Sequence, residues 1–223
     1  GGAAGNVRRH KRGSGAVARC GKIRTCSVYD HSETKCCVFT LYLADWVNGW
    51  GTKNYGRVWK LDVTDQTNDL EQERLETQRL MTHNYEDDKT DNLIKLLSYD
   101  DMRIRQKAQF ELAKRTFWGY RALEKALTEE ENQFTRIHAI WGIGQIAAKD
   151  VDDAEPLLNL LSDEDPEIVA QSAKVLGDVR YGKAADSLIA LTTHQNDRVK
   201  FYAAQALGRL KHENAIEPLL EMI

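Results

Sequence analysis

A leucine returns along this chain at nearly constant intervals: Leu93, Leu123, Leu157, Leu188 and Leu219 stand 30, 34, 31 and 31 residues apart. Each belongs to a short apolar stretch such as Leu93-Ile94-Lys95-Leu96-Leu97 or Leu157-Leu158-Asn159-Leu160-Leu161. A second column keeps the same phase and is small: Ala108, Ala139, Ser172 and Ala203. Four residues before these stand Ile104, Thr135, Ile168 and Val199, and four after stand Leu112, Ile143, Leu176 and Leu207. Spacing of i, i+4, i+8 lays each trio along one face of an α-helix. The small central residue lets a partner helix come close. The period therefore predicts units of two antiparallel helices, about 30 residues each. One such pair cannot bury its own apolar face, so the units must stack into an α-solenoid.

Punctuation supports this reading. Pro156 and Pro218 fall where first helices are expected to begin, since a missing N–H costs nothing in the first turn. Asp165-Pro166 offers a cap and a first-turn proline for a second helix. Gly177 and Gly208 are expected just past the last apolar turns. Gly142-x-Gly144 follows no strand and lies inside a helical pattern, so it predicts close helix packing rather than a nucleotide loop. Residues 86–223 hold four full units and the first helix of a fifth, and the natural protein is expected to continue past Ile223.

This pattern resembles HEAT repeats of the short, phycobilisome-lyase-like kind with an armadillo-type fold. Two strings sharpen the likeness: Leu96 through Ala113, with Tyr99-Asp100-Asp101-Met102-Arg103-Ile104-Arg105, and Arg136-Ile137-His138-Ala139-Ile140-Trp141-Gly142. Both are similar to the HEAT segment that follows a propeller in large planctomycete-type membrane-bound dehydrogenase/cytochrome c proteins.

Upstream the texture differs. Residues 39–67 read as a strand, a Gly/Asn-rich loop and a strand: Phe39 to Trp46, then Gly56 to Val63. A lone hairpin is barely stable in water, so it implies a larger sheet. Asp45, Trp46, Gly49, Trp50, Gly56, Arg57 and Trp59 resemble the closing blade of a six-bladed quinoprotein glucose/sorbosone dehydrogenase-like propeller. The resemblance implies a parent protein that oxidises a sugar or alcohol with pyrroloquinoline quinone (PQQ) and calcium and passes electrons to haem c. It also implies a periplasmic or secreted location; a cytoplasmic one is the alternative. The family's catalytic histidine and its quinone and calcium ligands lie in earlier blades, with no match in this chain. Residues 68–85 read as a linker helix.

Residues 1–38 show no period and are expected to be irregular or disordered, and not necessarily native. Cys20, Cys26, Cys36 and Cys37 fit neither zinc-pair nor haem-attachment spacing. The first 35 residues carry eight Lys/Arg and two acids, and the rest carry 23 against 32. So acidic a remainder disfavours a nucleic-acid partner, and no apolar run reaches the roughly 18 residues of a membrane helix.

The fold class is thus mainly α, an α-solenoid of HEAT-like helix pairs after a β-hairpin propeller remnant and a disordered N-terminus. No catalytic, cofactor-binding or metal-binding residue is assigned within this chain. Acids such as Asp163-Glu164-Asp165 read as solvated turns. A row one step from the small column (Lys107, His138, Gln171, Tyr202) and a neighbouring row (Arg105, Arg136, Lys200) read as a polar, mildly basic surface strip. This strip is the candidate contact for a protein partner or for other domains of the same polypeptide. Two functions compete: part of a quinoprotein dehydrogenase-like protein with the HEAT array organising its domains, or a non-enzymatic interaction scaffold.

Overall fold

A computed structural model of the chain describes residues 7–10, 41–45, 57–61, 71–128 and 132–222. The four cysteines and Trp46, Gly49, Trp50 and Gly56 lie outside the described residues. Two compact units divide the chain, Gly1–Arg79 and Leu80–Ile223.

The first unit contains a three-stranded antiparallel sheet, order β1-β3-β2. Strand β2 (Leu41–Asp45) pairs with β3 (Arg57–Leu61), with Leu43 opposite Trp59. The further strand β1 (Val7–His10) lies on the other side of β3, in a stretch where the sequence shows no period. Its register sets Val7 opposite Leu61 and His10 opposite Val58. The helix α1 (Glu71–Thr82) follows.

The second unit is helical. Its second helices are α3 (Met102–Lys114), α5 (Gln133–Ala147), α6 (Pro166–Asp178) and α8 (Asp197–Leu210). Its first helices are α2 (Thr90–Leu96), α4 (Thr116–Ala126), a 3₁₀ helix at Val151–Ser162 and α7 (Ala185–Ala190), which has a 3₁₀ turn at each end. The final α9 (Ile216–Leu220) follows another 3₁₀ turn. Ala108, Ala139, Ser172 and Ala203 are fully buried, as are the residues four before and four after, with Thr135 the most open at 4% exposed. Leu93, Leu123, Leu157 and Leu188 are fully buried against them.

An Asp or Asn caps each second helix. Asp101, Asn132, Asp165 and Asn196 each accept a backbone N–H of the first turn, at 2.8, 3.0, 2.9 and 2.9 Å. Each satisfies a donor that the helix itself cannot. Pro166 takes the first helical position after its cap, as the sequence predicts.

Three expectations are corrected. Gly177 and Gly208 lie inside the last turns of α6 and α8, not beyond them. The helices end instead on Arg180 and Lys211, with left-handed φ of 58° and 55°. After α6 the N–H of Tyr181 reaches the carbonyl of Leu176 at 2.9 Å and that of Arg180 reaches Gly177 at 3.2 Å, which ties off the helix. Pro156 and Pro218 also lie within helical stretches, because Val151–Ser162 and the turn at Glu213–Ala215 start the coil several residues earlier. Finally, the acidic turn at 163–165 is no mere solvated loop: Asp163 binds Arg136, and Asp165 caps α6 and accepts from Gln133 at 2.7 Å.

The glycines show why the second helices sit so close. A Cβ on Gly144 would lie 2.5 Å from the Val175 side chain, and one on Gly177 would lie 2.5 Å from both Cα and Cβ of Ala206. Gly142 has Leu123 of the first helix 2.8 Å from its missing Cβ. Gly208 occupies the same place in α8, and nothing lies within 4 Å of it. The two positions should therefore answer one substitution with opposite signs. Gly177→Ala should lower stability by about 1–3 kcal/mol through overpacking, and Gly208→Ala should raise it by up to about 1 kcal/mol through helix propensity. Urea midpoints that move in the same direction would refute this account of the interface.

Candidate functional site

The polar row singled out in the sequence is largely internal. Arg105, His138 and Gln171 are 7%, 2% and 5% exposed. They are buried because each finds its partner on the neighbouring repeat. Arg105 of α3 donates from Nε to Nε2 of His138 on α5 at 3.1 Å, and from Nη1 to the carbonyls of Tyr99 (2.6 Å) and Asp100 (2.8 Å). Its guanidinium stacks 4.3 Å from the Phe134 ring centroid. Arginine only donates, so His138 must accept at Nε2 and carry its proton on Nδ1. That Nδ1 lies 2.7 Å from Oε1 of Gln109, back on α3.

The connection continues along the solenoid. The His138 and Trp141 rings meet edge-on at 5.0 Å. Trp141 donates from Nε1 to Gln171 on α6 at 2.9 Å, and Gln171 donates to Glu167 at 2.7 Å. Glu167 in turn accepts from Arg198 on α8, at 3.1 and 2.7 Å, and Arg198 lies 5.2 Å from the Tyr202 ring centroid. A ladder of polar contacts thus crosses all four second helices.

The remaining strip residues are also engaged. Lys107 donates to the carbonyls of Met81 (2.9 Å) and His83 (2.5 Å) and lies 4.6 Å from the Tyr85 ring centroid, pinning the last turn of α1 and the loop after it. Arg115, which the sequence reading did not single out, secures the same loop through the carbonyls of Tyr85, Glu86 and Asp88. Arg136 donates to the Leu127 carbonyl at 2.8 Å and grips Asp163 with both terminal nitrogens. Burial acts to raise the Asp163 carboxyl, but Arg136 and the Asp165 N–H outweigh it and hold the pKa below the ordinary range. Lys200 pairs with Asp197 on its own helix at 2.7 Å. The expected row of surface charge is therefore mostly spent on joining repeats.

The open feature beside the ladder is a groove of about 820 Å³ along α3, α5 and α6. Phe110, Trp141, Gly144, Val151 and Val175 form its apolar lining, with Phe110 and Val151 44% and 40% exposed, and the exposed Gln106 and Gln145 line it as well. Lys149, Lys174, Asp178 and Arg180 supply its charge. The groove shares Trp141 and Gln109 with the ladder, so the ladder fixes two of its walls. Periodicity alone could not reveal it, since it is formed by the offset between helices of different repeats.

Desolvation, and secondarily the Arg105 charge, lower the pKa of His138 to about 4 from an ordinary 6.5. The unfolded chain therefore binds this proton first as pH falls. Stability is full above about pH 6.5 and declines toward pH 4, by about 2–4 kcal/mol in all. Asp101 and Asp163, held below the usual carboxylate range, add their losses only at lower pH. In urea titrations at pH 7 and 4.5, His138→Gln should be less stable at neutral pH but flatter between the two. An equal pH slope in variant and parent would show that His138 does not carry this dependence.

Residues 120–200 and 154–223 match the family model for HEAT repeats, together just under half of the chain. No curated protein matches it. Among solved structures, an engineered protein aligns at 21% identity over 60% of this chain and 67% of its own, with a TM-score of 0.40. The CpcE–CpcF complex of phycocyanin lyase from Nostoc aligns at 18% identity over 60% of this chain and 85% of its own, TM-score 0.48. Human deoxyhypusine hydroxylase in complex with glycerol aligns at 20% identity over 56% of this chain and 44% of its own, TM-score 0.44. With its buried small-residue column and its capped helix pairs, the helical part of this chain is an α-solenoid, and its residues 120–223 are similar to HEAT repeats.

Proposed function

We propose that the helical repeats are a protein-binding scaffold and that the groove along α3, α5 and α6 receives the partner. The observation that carries this reading is the groove's make-up: exposed apolar side chains at Phe110 and Val151, an indole at Trp141 and a polar margin. Apolar centres with polar margins are the common anatomy of protein contacts. Repeat arrays present such surfaces because stacked units create grooves that no single unit has. Among the described residues no helix is long and apolar enough to cross a membrane, and no group of three His, Cys, Asp or Glu side chains could hold a metal ion.

The finer reading sets these repeats in a larger quinoprotein dehydrogenase-like polypeptide, periplasmic or secreted. Its support is the resemblance of the segment around Asp45 and Arg57 to a closing propeller blade, followed by a helix and then the repeats. In this reading PQQ, calcium and haem c would be held by other parts of such a polypeptide. The complete open reading frame decides this: earlier blades bearing a quinone site support it, and their absence leaves the scaffold alone.

The scaffold reading is tested by photocrosslinking. A benzoylphenylalanine in place of Gln145, in the groove, should capture a polypeptide on irradiation in cells. The same probe in place of the exposed Arg121 on α4 should not, and Phe110→Ser should abolish capture at position 145. Capture that ignores Phe110, or that is equal at both positions, would overturn the reading.

A further inference from the structure

We infer that the groove takes an acidic peptide segment, with bulky apolar side chains on the Phe110–Trp141–Val175 surface and carboxylates on Lys149 and Arg180. This deepens the scaffold reading and rests on it. The argument is the charge balance of the margin. Lys174 and Asp178 neutralise each other at 2.8 Å, and Asp178 also accepts from Arg209. Lys149 and Arg180 are exposed, and neither side chain has a hydrogen-bond or ion-pair partner among the described residues. The groove thus offers two unanswered cations, both just after second helices: Lys149 after α5 and Arg180 after α6. Residues beyond 35 carry 32 acids against 23 Lys/Arg, and the other exposed lysines whose side chains have no partner among the described residues, Lys89, Lys95, Lys125 and Lys211, lie outside the groove. Elsewhere in this unit, Arg105, Lys107, Arg115, Arg136 and Arg198 are all committed to internal partners.

A peptide fits better than a small anion for two reasons. The groove is lined from three consecutive second helices rather than closed around one point. Gln106 and Gln145 also add side-chain amides, each able to donate and to accept, as a peptide backbone requires. Carboxylates on a partly desolvated margin contribute chiefly to selectivity and association rate, and the apolar floor supplies the holding contact.

The test selects displayed random 12-residue peptides on the full chain and measures the winners as fluorescent synthetic peptides. Enriched sequences should carry Asp or Glu next to aromatic or branched apolar residues. Phe110→Ser and the pair Lys149→Glu/Arg180→Glu should each weaken them by about tenfold or more, the scale of one well-placed contact. Replacing the peptide carboxylates by lysine should restore binding to the reversed pair, which a merely unfolded variant could not do. Peptides that depend on Phe110 yet show no acidic preference would overturn this inference and leave the scaffold reading standing. Failure to enrich any peptide that depends on Phe110 would overturn both. Naphthoate binding as tightly as the selected peptides, with the same sensitivity to the variants, would overturn the peptide assignment in favour of a small anion.

Discussion

The close approach of consecutive second helices is the constraint on which the rest of this solenoid depends. Where α6 meets α8, the surface of Gly177 is in direct contact with the backbone of Ala206, and a single methyl group has no room. Where α5 meets α6, Val175 fills the space a side chain on Gly144 would occupy. Such contact is attained only if the whole column between helices is small or flat, as Ala139, Ser172 and Ala203 are. Once the axes are drawn in, polar side chains on one helix fall within hydrogen-bond reach of those on the next. The same geometry leaves the offset that opens the groove.

That reach explains a buried polar ladder in a protein that could have used leucines. Unpaired buried donors and acceptors are costly, whereas a fully satisfied set is tolerated and imposes one arrangement. Arg105, His138 and Gln109 meet that condition only when α3 and α5 are in register, and Gln171 and Glu167 require the same of α5, α6 and α8. The ladder acts as an alignment device: a slip by one residue would strand a guanidinium and an imidazole together in an apolar interior. It also holds the indole of Trp141 and the amide of Gln109 in place as walls of the groove.

The repeat was legible in the sequence because helix packing writes itself into spacing. Leu93 to Leu219 and the small column from Ala108 to Ala203 needed only their separations to be read. The caps were half legible: Asp165 announced itself through Pro166, while Asp101, Asn132 and Asn196 carry the same role without a proline beside them. The polar row was misjudged as surface because a periodic pattern of Arg, His and Gln looks identical whether it faces water or pairs across a repeat. Only the partner's position distinguishes the two, and that position lies about one repeat away. The groove was invisible for a related reason, since its lining comes from residues of three repeats that no single stretch of sequence brings together.

The cross-repeat polar contacts of the helical unit share one property. Arg105 to His138, Trp141 to Gln171, Gln133 to Asp165 and Arg198 to Glu167 join residues separated by 33, 30, 32 and 31 positions. None of these four reaches past the adjacent repeat. A chain wired this way closes only short loops as it folds, and low contact order favours rapid folding. It also allows the structure to be gained or lost one repeat at a time, as in a row of coupled links rather than a single cooperative block. A strained or mutated repeat then frays locally while its neighbours hold, and a partner lying across three helices would bind those links into one mechanical element.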